Sequence, residues 1–265
     1  MSKSSSEGKL EDFIRRGVKK SSSAGIIVLI GLRALDPLLQ YAILGRGLGS
    51  SMIPRIGGTT LPPGALVTTN TIIDKLGLSP HRLTLFLMTV GAVLKSSYWA
   101  AYTSQEELPV GSAVLISLYN SALNSLNTLL FTCSQTSASS IGENFSQPRL
   151  LVGCILYILG LVAEAVAETQ RKRFKQNSAN EGKVYDKGLF SLARHINYGA
   201  YSLWRAGFAL ASAGWIFGSL MGAYFFYDFA TRGVPALDRY CQDRYGKQWT
   251  NYKAKVPYAL LPMIY

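Results

Sequence analysis

Long apolar segments alternate with short polar ones along this chain of 265 residues. A helix needs about 20 apolar residues to cross the hydrocarbon core of a bilayer. Five segments are long enough, namely 24–45, 82–102, 110–133, 149–170 and 199–230. The pattern therefore predicts an all-α protein, a polytopic membrane helix bundle of about five to six spans.

The last apolar segment, 199–230, has 32 residues, which is long for one span and short for two. Gly207 and Gly214 offer break points within it. We therefore expect either a tight helical hairpin or one long bent helix in this part of the chain.

The polar segments divide the chain into three parts. Residues 1–22 are predicted to form a cytosolic polar tail, 23–147 the N-terminal membrane spans, and 148–265 a C-terminal region with its own chemistry. Residues 46–80 are rich in Gly, Pro and Thr, and we expect a loop or a re-entrant segment there. A polar loop is expected at 171–187.

Composition and charge agree with an integral membrane protein. The chain is 48% hydrophobic and only 16% charged, against roughly 25% charged residues in soluble domains. Its net charge of +12 comes from Lys and Arg blocks that flank the apolar segments. Because such blocks stay on the cytosolic side, they place both termini in the cytosol and give no reason to expect nucleic acid as a partner. The glycosylation sequon at 144–146 then lies on the luminal side, close to the membrane.

Cysteine and histidine are scarce. Cys133, Cys154 and Cys241 contain no CxxC pair, so neither a disulfide framework nor a zinc site is predicted. With only two histidines, a His-rich di-iron site is excluded, and we expect no metal. Phosphate-loop, GxGxxG, HExxH and GxSxG motifs do not occur.

Charged residues lie within two of the predicted spans. Arg33 and Asp36 are three residues apart and share a helix face, which favours a structural ion pair over a functional role. Lys95 is followed by Tyr98 and Trp99, residue types that are common at the membrane interface. We expect Lys95 to extend its side chain to that interface, the alternative being a functional role inside the bundle.

Three asparagines form a polar stripe on the third predicted span. Asn120, Asn124 and Asn127 are four and three residues apart, so they share one face of an apolar helix. Asparagine in lipid needs a hydrogen-bond partner, which a facing helix supplies. Two interpretations stay open: the stripe joins helices, or it lines the pocket of a lipophilic substrate.

The C-terminal region combines basic, aromatic and polar residues in a pattern that suits a nucleotide-like cofactor. Cations would bind its anionic groups, aromatic rings would stack on its base, and polar side chains would bind its hydroxyls. In that order, the candidates are Arg171, Lys175, Arg194, His195 and Arg244; Tyr198, Tyr245, Trp249 and Tyr252; and Asn197 and Asp238. The alternative is that these residues only anchor the chain at the membrane interface.

Motifs in the same region carry a family resemblance. Residues 194–198 follow an RHxNY pattern, and residues 170–175 are similar to a QKxxFR element. "VPYALLPMIY", residues 256–265, matches a V-P-Y-x-x-x-P-x-I-Y ending. The spacings that precede this ending are met by Asp238, Cys241, Arg244, Tyr245, Gly246, Trp249 and Tyr252.

From about Glu164 onward, the chain thereby resembles the membrane family of sterol C14- and C7-reductases and steroid 5-alpha-reductase-like (DUF1295) proteins. It resembles isoprenylcysteine carboxyl methyltransferases more distantly. The resemblance implies a cytosol-facing cofactor pocket formed by the C-terminal half, at the endoplasmic reticulum. It implies NADPH in a reductase or S-adenosylmethionine in a methyltransferase, with Tyr252 and His195 as catalytic residues.

The chain departs from the family pattern at several positions. Ile196 replaces a proline, Ala200 and Tyr201 replace a Gly-Glu/Asp pair, Leu237 replaces an aspartate, and Ala259 replaces an arginine. The loss of two acids leaves hydride transfer in doubt. We expect an NADPH-dependent reductase of a carbon–carbon double bond in a sterol, terpenoid, enone or acyl chain. The alternatives are an S-adenosylmethionine-dependent methyltransferase of a prenylated or lipid substrate, and a non-catalytic relative; no obligate protein partner is inferred.

Overall fold

The computed structural model describes residues 22–104, 106–139 and 147–265, and these residues form helices and loops without a β-strand. Almost all of the predicted cytosolic tail, and the sequon, lie outside the described residues. The α-helices are α1 Ser23–Arg46, α2 Pro80–Tyr98, α3 Val110–Thr132, α4 Pro148–Gln176, α5 Ile196–Asp228, α6 Val234–Tyr245 and α7 Lys247–Lys255.

Four of these helices are long and apolar enough to cross a membrane, which confirms the predicted all-α membrane bundle. They are α1, α2 with the turn that follows it, α4 and α5. The more polar helix α3 has 23 residues, which gives it a length of about 35 Å. It packs along α1, and α4 packs along α5.

Two of the polar segments contain more helix than expected. The prediction of a polar loop from residue 171 is wrong over 171–176, because α4 continues to Gln176. Lys, Arg and Gln are good helix formers, so the helix does not have to end where its apolar face does. The 46–80 segment is a loop with 3₁₀ turns at Ser50–Met52, Pro54–Ile56 and Ile72–Leu76.

Helix α5 is a hairpin that reverses at Gly214. This residue has φ 79° and ψ −172°, values that are not helical. Its two arms are residues 196–212 and 215–228. A Cβ added to Gly218 in the second arm would lie 2.6 Å from the Cβ of Leu210 in the first, so the arms pack closely against each other. The predicted hairpin is confirmed, with Gly214 as its break point.

Gly207, the other predicted break point, is helical and serves close packing instead. A Cβ on Gly207 would lie 2.6 Å from the carbonyl oxygen of Gly153 in α4. One on Gly160 of α4 would lie 2.6 Å from the backbone nitrogen of Trp204. Small residues at such contacts let membrane helices approach through their backbones.

A buried polar network joins α1, α3 and α5. Arg33 and Asp36 form an ion pair of 2.8 Å, and both are almost fully buried. The Asp36 carboxylate also accepts from Asn124 Nδ2 at 2.7 Å. Arg205 in α5 donates to the side-chain oxygens of Asn124, at 3.1 Å, and Asn120. Arg33 and Asp36 are thus a structural pair, and two of the three asparagines hydrogen-bond between helices.

Gly214→Ala is expected to destabilise the protein by about 1–3 kcal/mol, because the backbone conformation at Gly214 is essentially restricted to glycine. The measurement is thermal unfolding of the detergent-purified protein. Gly31→Ala is the matched control, since Gly31 is an exposed position in α1 with no atom within 4 Å of an added Cβ. This control should unfold at or slightly above the wild-type temperature, because alanine favours helix over glycine. Equal melting temperatures for the two variants would contradict the hairpin geometry.

Candidate functional site

The start of α5 is held by the last ten residues of the chain. The backbone N–H of Arg194 donates to the Tyr258 carbonyl at 3.0 Å, and that of His195 to the Ala259 carbonyl at 2.7 Å. A Cβ on Gly199 would lie 2.1 Å from the Leu260 carbonyl oxygen, so only glycine allows this approach. The RHxNY motif and the V-P-Y ending, far apart in sequence, therefore form one structural unit.

The Arg194 side chain contributes to the same contact. Its Nη1 atom donates to the carbonyl oxygens of Val256 and Pro257, at 2.7 Å each. Hydrogen bonds from a charged donor are stronger than neutral ones. Arg194 thus fixes the C-terminal segment, and its predicted contact with a cofactor stays a prediction.

Four predicted aromatic residues form a cluster where α5 begins. The ring centroids of His195 and Tyr198 are 6.2 Å apart, and those of His195 and Trp249 are 6.0 Å apart. Trp249 also contacts the Tyr252 ring at 5.3 Å. Trp249 Nε1 donates to the Asp238 carboxylate at 2.8 Å, which fixes its indole plane. Helices α6 and α7 thereby place these rings at the N-terminal end of α5.

Tyr252 is buried and its hydroxyl group donates to the Phe190 carbonyl at 2.5 Å. Burial raises the pKa of Tyr252, and the nearby Arg194 and Arg171 act in the opposite direction. The phenol is therefore neutral at physiological pH and acts as a hydrogen-bond donor. Its position holds the 188–191 turn against α7.

Three predicted cations gather beside this cluster. The Arg171 guanidinium lies 5.4 Å from the Phe190 ring centroid. Lys175, one turn further along α4, is within electrostatic range of both Arg171 and Arg244. Arg244 lies 5.7 Å from the ring of Tyr245. The three positive charges repel one another, so an anionic ligand would be bound favourably between Arg171, Lys175 and Arg244.

A buried ion pair between Lys95 and Glu164 lies further inside the bundle. Their side chains are only 10% and 6% exposed, so the expectation that Lys95 reaches the membrane interface is wrong. Trp204 Nε1 donates to the other oxygen of Glu164 at 2.7 Å. The pair links α2 to α4, and a charged residue that finds a partner on a neighbouring helix has no need to reach water.

Glu168, one turn after Glu164, connects the region of the Lys95–Glu164 pair to the RHxNY motif. Its carboxylate accepts from Asn197 Nδ2 and from Thr103 Oγ1, both at 3.5 Å. Sequence reasoning did not include Glu164 or Glu168 among the site residues. The available signal was two acids at i,i+4 inside an apolar segment, which is unusual for a membrane helix.

Other predicted residues lie elsewhere or have new partners. Asn120 and Asn124 belong to the network around Asp36 and Arg205. Asn127 is buried, and its side-chain oxygen has no hydrogen-bond partner within the described ranges. The predicted role of the three asparagines in substrate binding stays a prediction. Tyr201, at the position of a family acid, packs on Trp204 and Phe225.

Arg194→Gln is expected to loosen the C-terminal segment, because two charge-assisted hydrogen bonds are lost. A local destabilisation of about 2 kcal/mol corresponds to roughly 30-fold faster amide exchange. Hydrogen–deuterium exchange of the His195 amide and of amides 259–261 would measure this change. Arg244→Gln is the control, since the Arg244 side chain is exposed and bonds to Tyr240 on its own helix. Unchanged exchange in Arg194→Gln would contradict the assigned contact.

Comparison with known proteins agrees with the motifs. The family model described as "Protein of unknown function (DUF1295)" matches residues 82–256, from α2 to the end of α7. A protein of Ustilaginoidea virens named "Probable O-methyltransferase ustE" is 44% identical over 242 residues, which cover 90% of this chain and 85% of that relative. The chain is therefore a member of the DUF1295 family.

Proposed function

We propose that the protein is a membrane-embedded methyltransferase that transfers a methyl group from S-adenosylmethionine to an oxygen atom of a lipophilic acceptor. The observation that carries this proposal is the 44% identity to a protein named as a probable O-methyltransferase, over a range that covers 90% of the chain. The methyltransferase, which the sequence analysis gave as an alternative, thereby takes precedence over the NADPH-dependent reductase.

The cations and aromatic rings near the N-terminal end of α5 fit the chemical groups of S-adenosylmethionine. Arg171, Lys175 and Arg244 would hold its carboxylate, and the rings of Trp249 and Tyr198 offer faces for its adenine. The buried Glu168 suits a ligand that also carries positive charge. When bound, S-adenosylmethionine supplies an electrophilic methyl group on a positively charged sulfur.

Methylation of a hydroxyl oxygen requires that the acceptor lose a proton. His195 is 4% exposed and belongs to the aromatic cluster, directly before the first residue of α5. Imidazole is the side chain that most often serves as a general base, so we assign His195 as the group that takes this proton. Tyr252 acts by position, because its hydroxyl group holds the 188–191 turn. The apolar helices behind the site would exclude water and admit an acceptor from the bilayer.

A second candidate is the NADPH-dependent reductase that the C-terminal motif favours. The ending "VPYALLPMIY" and the three cations around α4 support it, since NADPH carries several phosphate charges. Two features oppose it: Tyr201 and Leu237 stand where the family has acids, and Glu168 is a buried anion beside the site. Reduced NADPH has no positive group for that carboxylate to bind.

The two candidates predict different ligand responses from the purified protein. S-adenosylmethionine at a hundred times its dissociation constant should stabilise the folded state by about 2.7 kcal/mol, whereas NADPH and NADH should give no comparable shift. Thermal unfolding in detergent, with the three ligands in parallel, measures this. Methyl transfer from radiolabelled S-adenosylmethionine to a panel of lipophilic alcohols, phenols and carboxylic acids then tests the reaction.

Stabilisation by NADPH alone would overturn the proposal in favour of the reductase. If the folded protein responds to none of the ligands, both enzyme assignments lose their support. Such a result would favour a non-catalytic member of the family.

A further inference from the structure

Glu168 is a buried carboxylate that shares Lys95 with Glu164: the lysine pairs closely with Glu164 and attracts Glu168 only at longer range. Glu168 is 8% exposed, and its two hydrogen bonds are both at 3.5 Å, the long limit for such contacts. Across residues 22–104, 106–139 and 147–265, no lysine or arginine nitrogen forms an ion pair with its carboxylate. One lysine shared between two buried carboxylates leaves an excess of negative charge, which is costly because its desolvation is only partly offset.

Two lysines near Glu168 form their close contacts with other groups. Lys95 pairs with Glu164, one turn before Glu168, and attracts Glu168 only at longer range. Lys172, one turn after Glu168, donates to the Tyr102 carbonyl, and its Nζ lies 3.4 Å from the centroid of the Tyr102 ring. The usual i,i+4 pair between Glu168 and Lys172 is therefore not formed.

Glu168 and the cation cluster occupy different levels along α4. Lys175 is seven residues beyond Glu168, so the two lie about 10 Å apart along the helix axis. Lys175 is exposed, whereas Glu168 faces Asn197 inside the bundle. The site thus presents positive charge at its outer end and a carboxylate further in.

This order of charges matches one ligand chemistry. The carboxylate and ammonium groups of S-adenosylmethionine are at the end of its amino-acid chain, and its sulfonium lies further along the molecule. With the ligand carboxylate at the outer cations, the sulfonium is the group that extends inward. The methyl group must also point inward, toward an acceptor that comes from the bilayer.

We propose that Glu168 binds the sulfonium of S-adenosylmethionine and makes the site discriminate against S-adenosylhomocysteine, whose sulfur is neutral. This inference rests on the proposed methyltransferase function. It assigns to Glu168 a role in cofactor selection and in release of the demethylated product. Asn197 acts as a positioning residue, because its amide orients the Glu168 carboxylate.

The test is the dissociation constant of each ligand, measured by calorimetry on the full-length protein in detergent. Glu168→Gln keeps the shape of the side chain and removes its charge. It is expected to weaken S-adenosylmethionine binding about tenfold or more and to change S-adenosylhomocysteine binding less than about threefold. Glu181→Gln, at an exposed position in the loop after α4, should leave both constants unchanged.

A second readout needs no ligand. Glu168→Gln should unfold at or above the wild-type temperature, because it removes a buried charge that Lys95, already paired with Glu164, only partly offsets. Glu164→Gln should unfold at a lower temperature, because it leaves Lys95 buried without its partner. If Glu168→Gln is too unstable to purify, the carboxylate has a structural role and the proposal is wrong.

Each remaining outcome gives a clear answer. Equal weakening of both ligands would assign Glu168 to the ammonium group, which both ligands share, and would overturn the sulfonium assignment. Unchanged binding of S-adenosylmethionine by Glu168→Gln would overturn any contact with the ligand. If the wild-type protein does not bind S-adenosylmethionine at all, the proposed function itself fails, and this inference with it.

Discussion

Close backbone packing between α4 and the first arm of α5 is the contact on which the rest of the structure depends. Gly153 and Gly160 leave no space for a side chain where the two helices meet. In a bilayer, apolar side chains gain little by leaving lipid for another helix, so close packing of small residues sets the register. That register places Glu164 beside Trp204 and Glu168 beside Asn197. The site is therefore a consequence of where the glycines lie.

The described part of the bundle encloses several charged side chains. Four cations and three carboxylates are almost fully buried there, namely Arg33, Arg82, Lys95, Arg205, Asp36, Glu164 and Glu168. Only two of the possible ion pairs form within the described part of the chain. Arg205 is bound by neutral oxygens and Glu168 by neutral donors. Glu168 lies beside Asn197 at the start of α5, close to the residues of the RHxNY motif.

Hydropathy was sufficient to predict the long helices α1 to α5, because a bilayer imposes length and composition on every span, but it did not indicate α6 and α7. A hairpin or a bent helix was predictable from Gly207 and Gly214, and the structure has the hairpin, with the reversal at Gly214, whose backbone conformation other residues avoid. The partner of Lys95 was not predictable, because a single sequence does not show which helix will pack next to it. The docking of residues 256–265 on α5 also gave no sequence signal beyond the family motif, since it is made by backbone carbonyls.

The family motif does not by itself identify a cofactor, because part of it serves the fold. Arg194 and Gly199 hold the C-terminal segment through backbone oxygens, a role that is independent of the ligand. What distinguishes ligands is charge: the resemblance implies that Tyr201 stands where related proteins have an acid, whereas Glu168 is an acid beside Asn197 of the motif. Tyr201 instead packs against Phe225 and so fastens the hairpin arms together. A site with outer cations and an inner carboxylate complements a zwitterionic ligand that carries an extra positive charge, and it disfavours a polyanion.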